Sequence, residues 1–215
     1  MMQYRAFGLN IVSDIALPPL VSSNFEHADI VVERNHVSTK GLDSPSITKV
    51  NSQTAPGQLW FHPPGIGYFH VSDGNKITVM PELNADMQSV RLYILGTCMG
   101  AIMHQRHRLT IHGNAIKVGD GCVVFAGHSG NGKSTLAAAF QQRGYPLLSD
   151  DLAVLDDNLF VQPAYPQIKI WQNTADMLNI DTSNLNRIRY HLNKFAYPLD
   201  NETFCSTPLP IKAMY

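Results

Sequence analysis

Charge of one sign is the first thing this chain lacks. Its 16 Lys and Arg stand against 17 Asp and Glu, a formal net charge of −1, so no basic field is present to gather nucleic acid and electrostatics name no partner. Cysteine is scarce. Cys98, Cys122 and Cys205 are odd in number and widely spaced, and two of them sit in apolar runs. That pattern excludes a disulfide frame or a zinc site and reads as reduced core thiols of a cytoplasmic protein. Long apolar runs are missing as well. The longest, Leu92 to Met103, is interrupted by Gly96, Thr97 and Gly100 and is too short to span a bilayer, so no membrane association is expected. The N-terminus has no basic-then-apolar leader, which again points to the cytoplasm, where the formal sequon Asn201-Glu202-Thr203 has no meaning. There are no internal repeats and no low-complexity tract. A hydrophobic content of 44% supplies an ordinary core, enough for one large domain or one domain plus a small one.

What the chain does have is Gly127-His128-Ser129-Gly130-Asn131-Gly132-Lys133-Ser134, a full match to G-x-x-x-x-G-K-[ST], the phosphate-binding loop. The residue types follow from the chemistry. Glycines let the backbone curl so that several N–H groups face one anion. Lys133 would reach the β- and γ-phosphates, and the Ser134 hydroxyl would take one Mg²⁺ position. The flanks fit. Cys122 to Ala126 is an apolar run of strand length, and Thr135 to Phe140 is a run of helix formers, so the loop opens a helix whose N-terminus attracts anions. A glycine-rich turn that binds nothing would not explain a Lys-Ser pair at that spacing.

Residues 1–83 read as a β-rich module. Strands are expected at Tyr4–Leu9, Ile30–Glu33, Gln58–Phe61, Tyr68–Val71 and Lys76–Val79, with Asp73-Gly74 at the tip of a hairpin. The polar stretch 35–56 reads as an exposed loop. From Asn84, a candidate N-cap, to about Arg106 the spacing turns helical, with Met87, Val90, Ile94, Cys98, Met99, Ile102 and Met103 as a core stripe. This helix opens a second domain, 84–215, and serves as its junction with the first.

In that second domain Leu109 to Val118 alternates like a strand, and Gly119-Asp120-Gly121 turns it into the strand before the loop. His112 is thereby expected on a strand next to the loop strand. After the loop helix, Arg143-Gly144-Tyr145-Pro146 carries a helix stop. Then Leu147-Leu148-Ser149-Asp150-Asp151-Leu152-Ala153-Val154-Leu155 places an Asp pair between apolar runs. Carboxylates inside an apolar strand need a partner, and a Mg²⁺-nucleotide supplies one. On a regular strand the two side chains face opposite ways, so one can hold the metal while the other accepts a proton from a nucleophilic hydroxyl. Further strands are expected at Phe160–Pro163, Gln167–Trp171 and Leu209–Tyr215, and a short helix near Asn173–Met177. Because the chain ends on a strand without a closing helix, it is expected to continue in its natural form.

His112-Gly113, the loop, and Arg143-Gly144-Tyr145 leading to Ser149-Asp150-Asp151 together resemble, in order and spacing, HPr kinase/phosphorylase. That family comprises bacterial Ser kinases with a phosphate-loop domain related to phosphoenolpyruvate carboxykinase. The N-terminal module and Tyr165 to Trp171 look closer to the HPr-kinase-like proteins of lasso-peptide biosynthesis clusters. The resemblance implies an α/β fold: a phosphate-loop nucleotide-binding domain of the HPr kinase C-terminal type behind a small β-rich module. It implies ATP and Mg²⁺ as cofactors, held by Gly127, His128, Ser129, Gly130, Asn131, Gly132, Lys133, Ser134 and Thr135. It makes Asp150 the base for the acceptor hydroxyl, with His112 and Lys133 beside it, and gives Ser134 and Asp151 to Mg²⁺. The implied partner is a small protein or peptide substrate carrying an acceptor Ser, and a homo-oligomer is compatible with the family. Two departures matter. Thr135 stands where the family usually has Glu, which implies a different metal shell. The late Gly- and Arg-containing signature is not recognisable, so neither the phosphorylase reaction nor HPr itself is expected.

The leading expectation is therefore an ATP- and Mg²⁺-dependent kinase acting on a Ser or Thr hydroxyl. The alternatives are an ATPase or nucleotide switch without a protein acceptor, and a nucleotide-binding pseudokinase. A GTPase is disfavoured, because Asn193-Lys194-Phe195-Ala196 lacks the acid of the guanine signature.

Overall fold

A computed structural model describes residues 1–128 and 130–215. Ser129, one of the expected loop residues, lies outside the described residues. The protein is mixed α/β, with several sheets and few helices. No helix among the described residues is long and apolar enough to cross a membrane. The chain forms two compact units. One comprises Met1–Arg5, Leu9–Pro18 and Ser22–Arg108, the other Ala6–Gly8, Pro19–Val21 and Leu109–Tyr215. The helical stretch after residue 84 groups with the first unit.

The first unit is built on a nine-stranded sheet, all of it but the end residues Ala6 and Val21: β1 (Met2–Ala6), β2 (Leu9–Ser13), β3 (Val21–Ser22), β4 (Ile30–Arg34), β5 (Ile47–Lys49), β6 (Ser52–Ala55), β7 (Gln58–Phe61), β8 (Gly67–Ser72) and β9 (Lys76–Pro81), in the order β3-β1-β2-β4-β9-β8-β7-β6-β5. The hairpin read from Asp73-Gly74 is β8–β9, with both tip residues at positive φ, 54° and 66°. Two expectations change. Tyr4–Leu9 is not one strand, because Phe7 and Gly8 turn the chain at φ 55° and 75°. Residues 35–56 are not all loop, because β5 and β6 pair there as a polar hairpin that carries no apolar alternation to read. Inward-facing Ile11, Ile30, Val32, Phe69, Val71, Ile77 and Val79 form the core with the helical stripe Val90, Ile94, Cys98, Met99, Ile102 and Met103. That stripe lies on α1 (Met87–Tyr93), a π-helical stretch at Ile94–Cys98, and α2 (Met99–Gln105). The N-cap is Asp86, which accepts from the backbone N–H groups of Gln88 and Ser89, rather than Asn84, which is left-handed at φ 68°.

The second unit holds β10 (Leu109–Ile111), β11 (Gly113–Val118), β12 (Gly121–Ala126), α3 (Lys133–Gln141), β13 (Leu147–Ser149), β14 (Ala153–Leu155), β15 (Phe160–Gln162), β16 (Gln167–Trp171), α4 (Gln172–Met177), β17 (Asn186–Arg187), β18 (Lys194–Pro198) and β19 (Leu209–Met214). Seven strands make one sheet, β10-β14-β15-β19-β12-β11-β13, and three make another, β16-β18-β17. Alternation along β11 and β13 splits the apolar side chains between two cores. Ala115 and Leu148 pack with Cys122, Val124 and Val161 on one face. Ile116 and Leu147 pack on the other with Ala137 and Ala138 of α3, Ala175 of α4, and Ile168, Ile170 and Phe195. The loop helix is thus clamped between two sheets. Its end is fixed as expected: Gly144 is left-handed at φ 83°, and the Tyr145 N–H returns to the Phe140 carbonyl at 3.1 Å.

Candidate functional site

The expected strand–loop–helix is present. β12 ends at Ala126, Gly127, Gly130 and Gly132 take φ of 144°, 93° and 78°, and α3 begins at Lys133. Three left-handed backbones within six residues are what glycine permits and other residues resist. His128 and Asn131 are exposed. Lys133 curls back, its Nζ donating to the Gly127 carbonyl at 2.7 Å and the His128 carbonyl at 3.0 Å. The Thr135 hydroxyl is turned away, hydrogen-bonded at 2.8 Å to Thr174 of α4.

Two expected strands are broken, and both breaks matter. Residues 109–118 and 147–155 pair antiparallel as β10 with β14 and β11 with β13. His112 sits at a bend between β10 and β11 rather than within a strand, and the Asp pair sits at a bend between β13 and β14. Asp151 has φ 76°, the Leu152 N–H reaches the Asp150 carbonyl at 3.0 Å, and the Ser149 hydroxyl donates to the Leu152 carbonyl at 2.5 Å. A left-handed Asp in so tight a turn is strained backbone of a kind that collects at functional sites. It also removes the regular strand on which the two carboxylates were expected to face opposite ways. Both converge on Lys169 of β16, whose backbone N–H donates to Asp150 Oδ2 at 2.7 Å and whose Nζ donates to Asp151 Oδ2 at 3.0 Å.

Asp150 is 4% exposed. Its Oδ1 accepts from Asn114 Nδ2 at 2.7 Å and from the Ser134 hydroxyl at 3.2 Å. With the Lys169 N–H, three donors fill three of a carboxylate's roughly four lone-pair positions. Burial pushes the Asp150 carboxyl up, partly offset by the Lys169 charge and N–H. Asp151 is more open, its side chain 43% exposed. Burial would raise it too, but the Lys169 ammonium and then His112 outweigh that and hold it below the usual carboxylate range. Lys169 is 5% exposed, and burial works against its charge. Tyr165, Asp151 and Asp150 prevail, keeping it firmly protonated. His112 Nδ1 lies 2.9 Å from the Asp151 carbonyl oxygen and 3.3 Å from Asp151 Oδ1. A carbonyl can only accept, so Nδ1 carries a proton and donates to it.

The arrangement joins the start of α3, through Ser134, to the Asp pair, and the Asp pair to His112. Lys133 is in the loop but, among the described residues, its amine is bonded only to loop carbonyls. For a metal, the described residues offer no group of three or more His, Cys, Asp or Glu side chains. They offer the Ser134 hydroxyl and the Asp150 carboxylate in contact, and beside them Asn114 Oδ1, a buried acceptor with no partner. Hard oxygens in small number suit Mg²⁺, which takes one or two protein ligands and completes its shell from phosphates and water.

Lys169 and Asn114 escape a motif-based reading. A signal was there: each is polar inside an apolar strand, Ile168-Lys169-Ile170 and Asn114-Ala115-Ile116, which is the criterion that picks out the Asp pair. No protein-family model matches the chain, and no curated protein matches it.

Proposed function

We propose that the second unit is a phosphate-loop nucleotide-binding domain of the HPr kinase type, and that it transfers a phosphoryl group from ATP to a Ser or Thr hydroxyl of a small protein or peptide. The observation that carries this reading is the 3.2 Å contact from the Ser134 hydroxyl to Asp150, which ties the glycine-rich loop to a buried carboxylate. In this reading the loop backbone and Lys133 hold the donor phosphates, Lys133 leaving the Gly127 and His128 carbonyls to do so. Ser134 and Asn114, both bonded to Asp150, and the more open Asp151 carboxylate would hold Mg²⁺ directly or through water, and the ion when bound neutralises charge on the phosphates. Asp150 takes the acceptor proton. Burial raises its basicity, one lone-pair position remains open, and three donors fix its orientation. Lys169 balances the charge of the Asp pair, and His112, fixed on Asp151, offers Nε2 toward the acceptor. The accessibility of Asp151 favours a second assignment, in which Asp151 takes the proton and Asp150 pairs with Ser134 on the metal side.

A switch or ATPase without an acceptor has one observation in its favour. Thr135 bonded to Thr174 links the loop helix to α4, a route by which a change at the phosphates reaches a neighbouring element. Incubation with γ-labelled ATP, Mg²⁺ and a panel of Ser- and Thr-containing peptides separates the readings. The kinase reading expects label on a hydroxyl of some peptides and none with Lys133→Ala, which also weakens Mg-ATP binding about tenfold or more. Phosphate release with no labelled peptide selects the switch, and no Mg-ATP binding by calorimetry removes both.

A further inference from the structure

The three-stranded sheet has two unlike faces. Ile168, Ile170, Phe195 and Tyr197 point into the core with α3 and α4. Register places Lys169, Trp171, Lys194 and Ala196 on the other face, with Lys194 opposite Trp171 and Ala196 opposite Lys169. Lys194 is therefore a diagonal neighbour of Lys169, at about 7–8 Å between the strands. Lys169 already holds the Asp pair. Immediately after Trp171, α4 begins, and its Thr174 is bonded to Thr135 at the start of the loop helix. The strand end that carries Lys194 thus stands beside the loop by two independent connections.

The Lys194 side chain is half-buried, and among the described residues no carboxylate or other acceptor is within hydrogen-bond or ion-pair distance of its amine, although Asp150 and Asp151 attract it from further off. Its amine stands over the ring of Trp171, with Nζ 5.4 Å from the centroid. A partly desolvated cation with no anion bonded to it is costly unless something else completes it, and an aromatic face is a weak substitute. Every other cation at this site is engaged: Lys169 by Asp151, and Lys133 by two carbonyls. Burial pushes the Lys194 amine down; Asp150 and Asp151 pull it up, Lys169 and Lys133 push it down, and the net shift is downward.

We propose that Lys194 is a second phosphate-binding cation, which with Lys133 forms a two-sided cradle for the polyphosphate anion. This rests on the nucleotide-binding reading above and adds a residue that no loop motif contains. A lysine brought in from a separate strand does here what a cation supplied from outside the loop does in other phosphoryl transfers: it offsets charge on the phosphoryl oxygens. Trp171 keeps its amine oriented before the anion arrives.

Calorimetric titration with Mg-ATP and with base-free tripolyphosphate, on wild type, Lys133→Ala, Lys194→Met and Lys194→Arg, tests it. The expected result is that Lys194→Met weakens both ligands by about tenfold or more, and that Lys194→Arg restores most of the loss. The equal loss for tripolyphosphate assigns the contact to phosphate rather than to the nucleoside. If Lys133→Ala loses binding while Lys194→Met binds tripolyphosphate like wild type, the loop reading stands and the Lys194 assignment falls. If wild type binds neither ligand, the nucleotide reading itself falls. Thermal melts guard against misfolding. Lys194→Met removes a half-buried charge that has no bonded anion and is expected to melt no lower than wild type, so a collapsed melting temperature would show a structural role and overturn the proposal.

Discussion

At the scale of single residues, the site turns on one carboxylate pair and the lysine between them. Asp150 is buried and bonded on both oxygens, whereas Asp151 is half-open and faces His112. Their exchange with Asn separates the roles. Asp150→Asn is expected to bind Mg-ATP within a few-fold of wild type and to lose transfer by about 10²-fold or more, the usual weight of a positioned base. Asp151→Asn is expected to raise the Mg²⁺ requirement and to retain more transfer. Metal titrations and single-turnover rates for both variants read this out, and transfer at the wild-type rate in Asp150→Asn would exclude it as the base. Lys169→Met removes the ammonium bonded to the pair. Breaking a buried pair leaves a charge uncompensated at about 3–5 kcal/mol, and the openness of Asp151 reduces this to about 2. Equilibrium urea unfolding is the check, and an unchanged midpoint would mean that water, not Lys169, balances the pair. The loop and the Asp pair were legible in the sequence because motif spacing and charge in an apolar run are local signals. Lys169 was not, because its meaning depends on which strand β16 lies against.

At the scale of elements, the sequence located helices and hairpins well and their ends less well. The stripe from Val90 to Met103 and the turn at Asp73-Gly74 stand where periodicity and turn chemistry put them. The helix start moved from Asn84 to Asp86, because two capping residues lie within three positions and only the local backbone decides between them. The Asp86 carboxylate accepts from the Gln88 and Ser89 N–H groups and from the Ser89 hydroxyl at 2.8 Å. Burial raises its pKa, these bonds lower it more, and the net shift is downward. A folded value below the unfolded one gives a contribution that is present above the ordinary Asp value of about 3.9 and lost as pH falls through the folded value. Asp86→Ala should therefore cost about 1 kcal/mol at neutral pH and progressively less toward pH 3. Paired denaturant melts at pH 7 and pH 3 measure the difference, and a cost that stays constant with pH would rule out a carboxylate cap. The strands break at His112 and at Asp150-Asp151 without a turn signal in the sequence. An unbroken alternating pattern cannot announce a left-handed Asp, and that one backbone angle brings both carboxylates to Lys169.

At the scale of the whole molecule, contiguity in sequence and membership in a compact unit part company. A linear reading divides the chain into consecutive pieces, yet the unit that carries the loop also includes Ala6–Gly8 and Pro19–Val21. Phe7 shows why such a short piece counts. It is buried, its N–H donates to the Pro163 carbonyl at 2.7 Å, and its ring stands edge-on to Tyr165 with centroids 6.2 Å apart. Tyr165 in turn is buried and acts electrostatically on Lys169 and the Asp pair. A Phe set in a turn at φ 55° gives no sequence signal of burial, since turns are normally exposed. Truncation to Ala leaves a cavity against Tyr165 and is expected to cost about 3 kcal/mol. For a chain of this size that is roughly 6–12 °C in melting temperature. Phe7→Leu, which refills most of the volume, should recover more than half of it. Because the cavity opens beside the ring that neighbours Lys169, Phe7→Ala should also loosen the site, read as faster amide exchange at residues 149–152 than in wild type. A melting temperature within about 2 °C of wild type would mean that Phe7 contributes little to the unit it joins. A large drop that spares exchange at residues 149–152 would mean that it stabilises the unit without ordering the carboxylates.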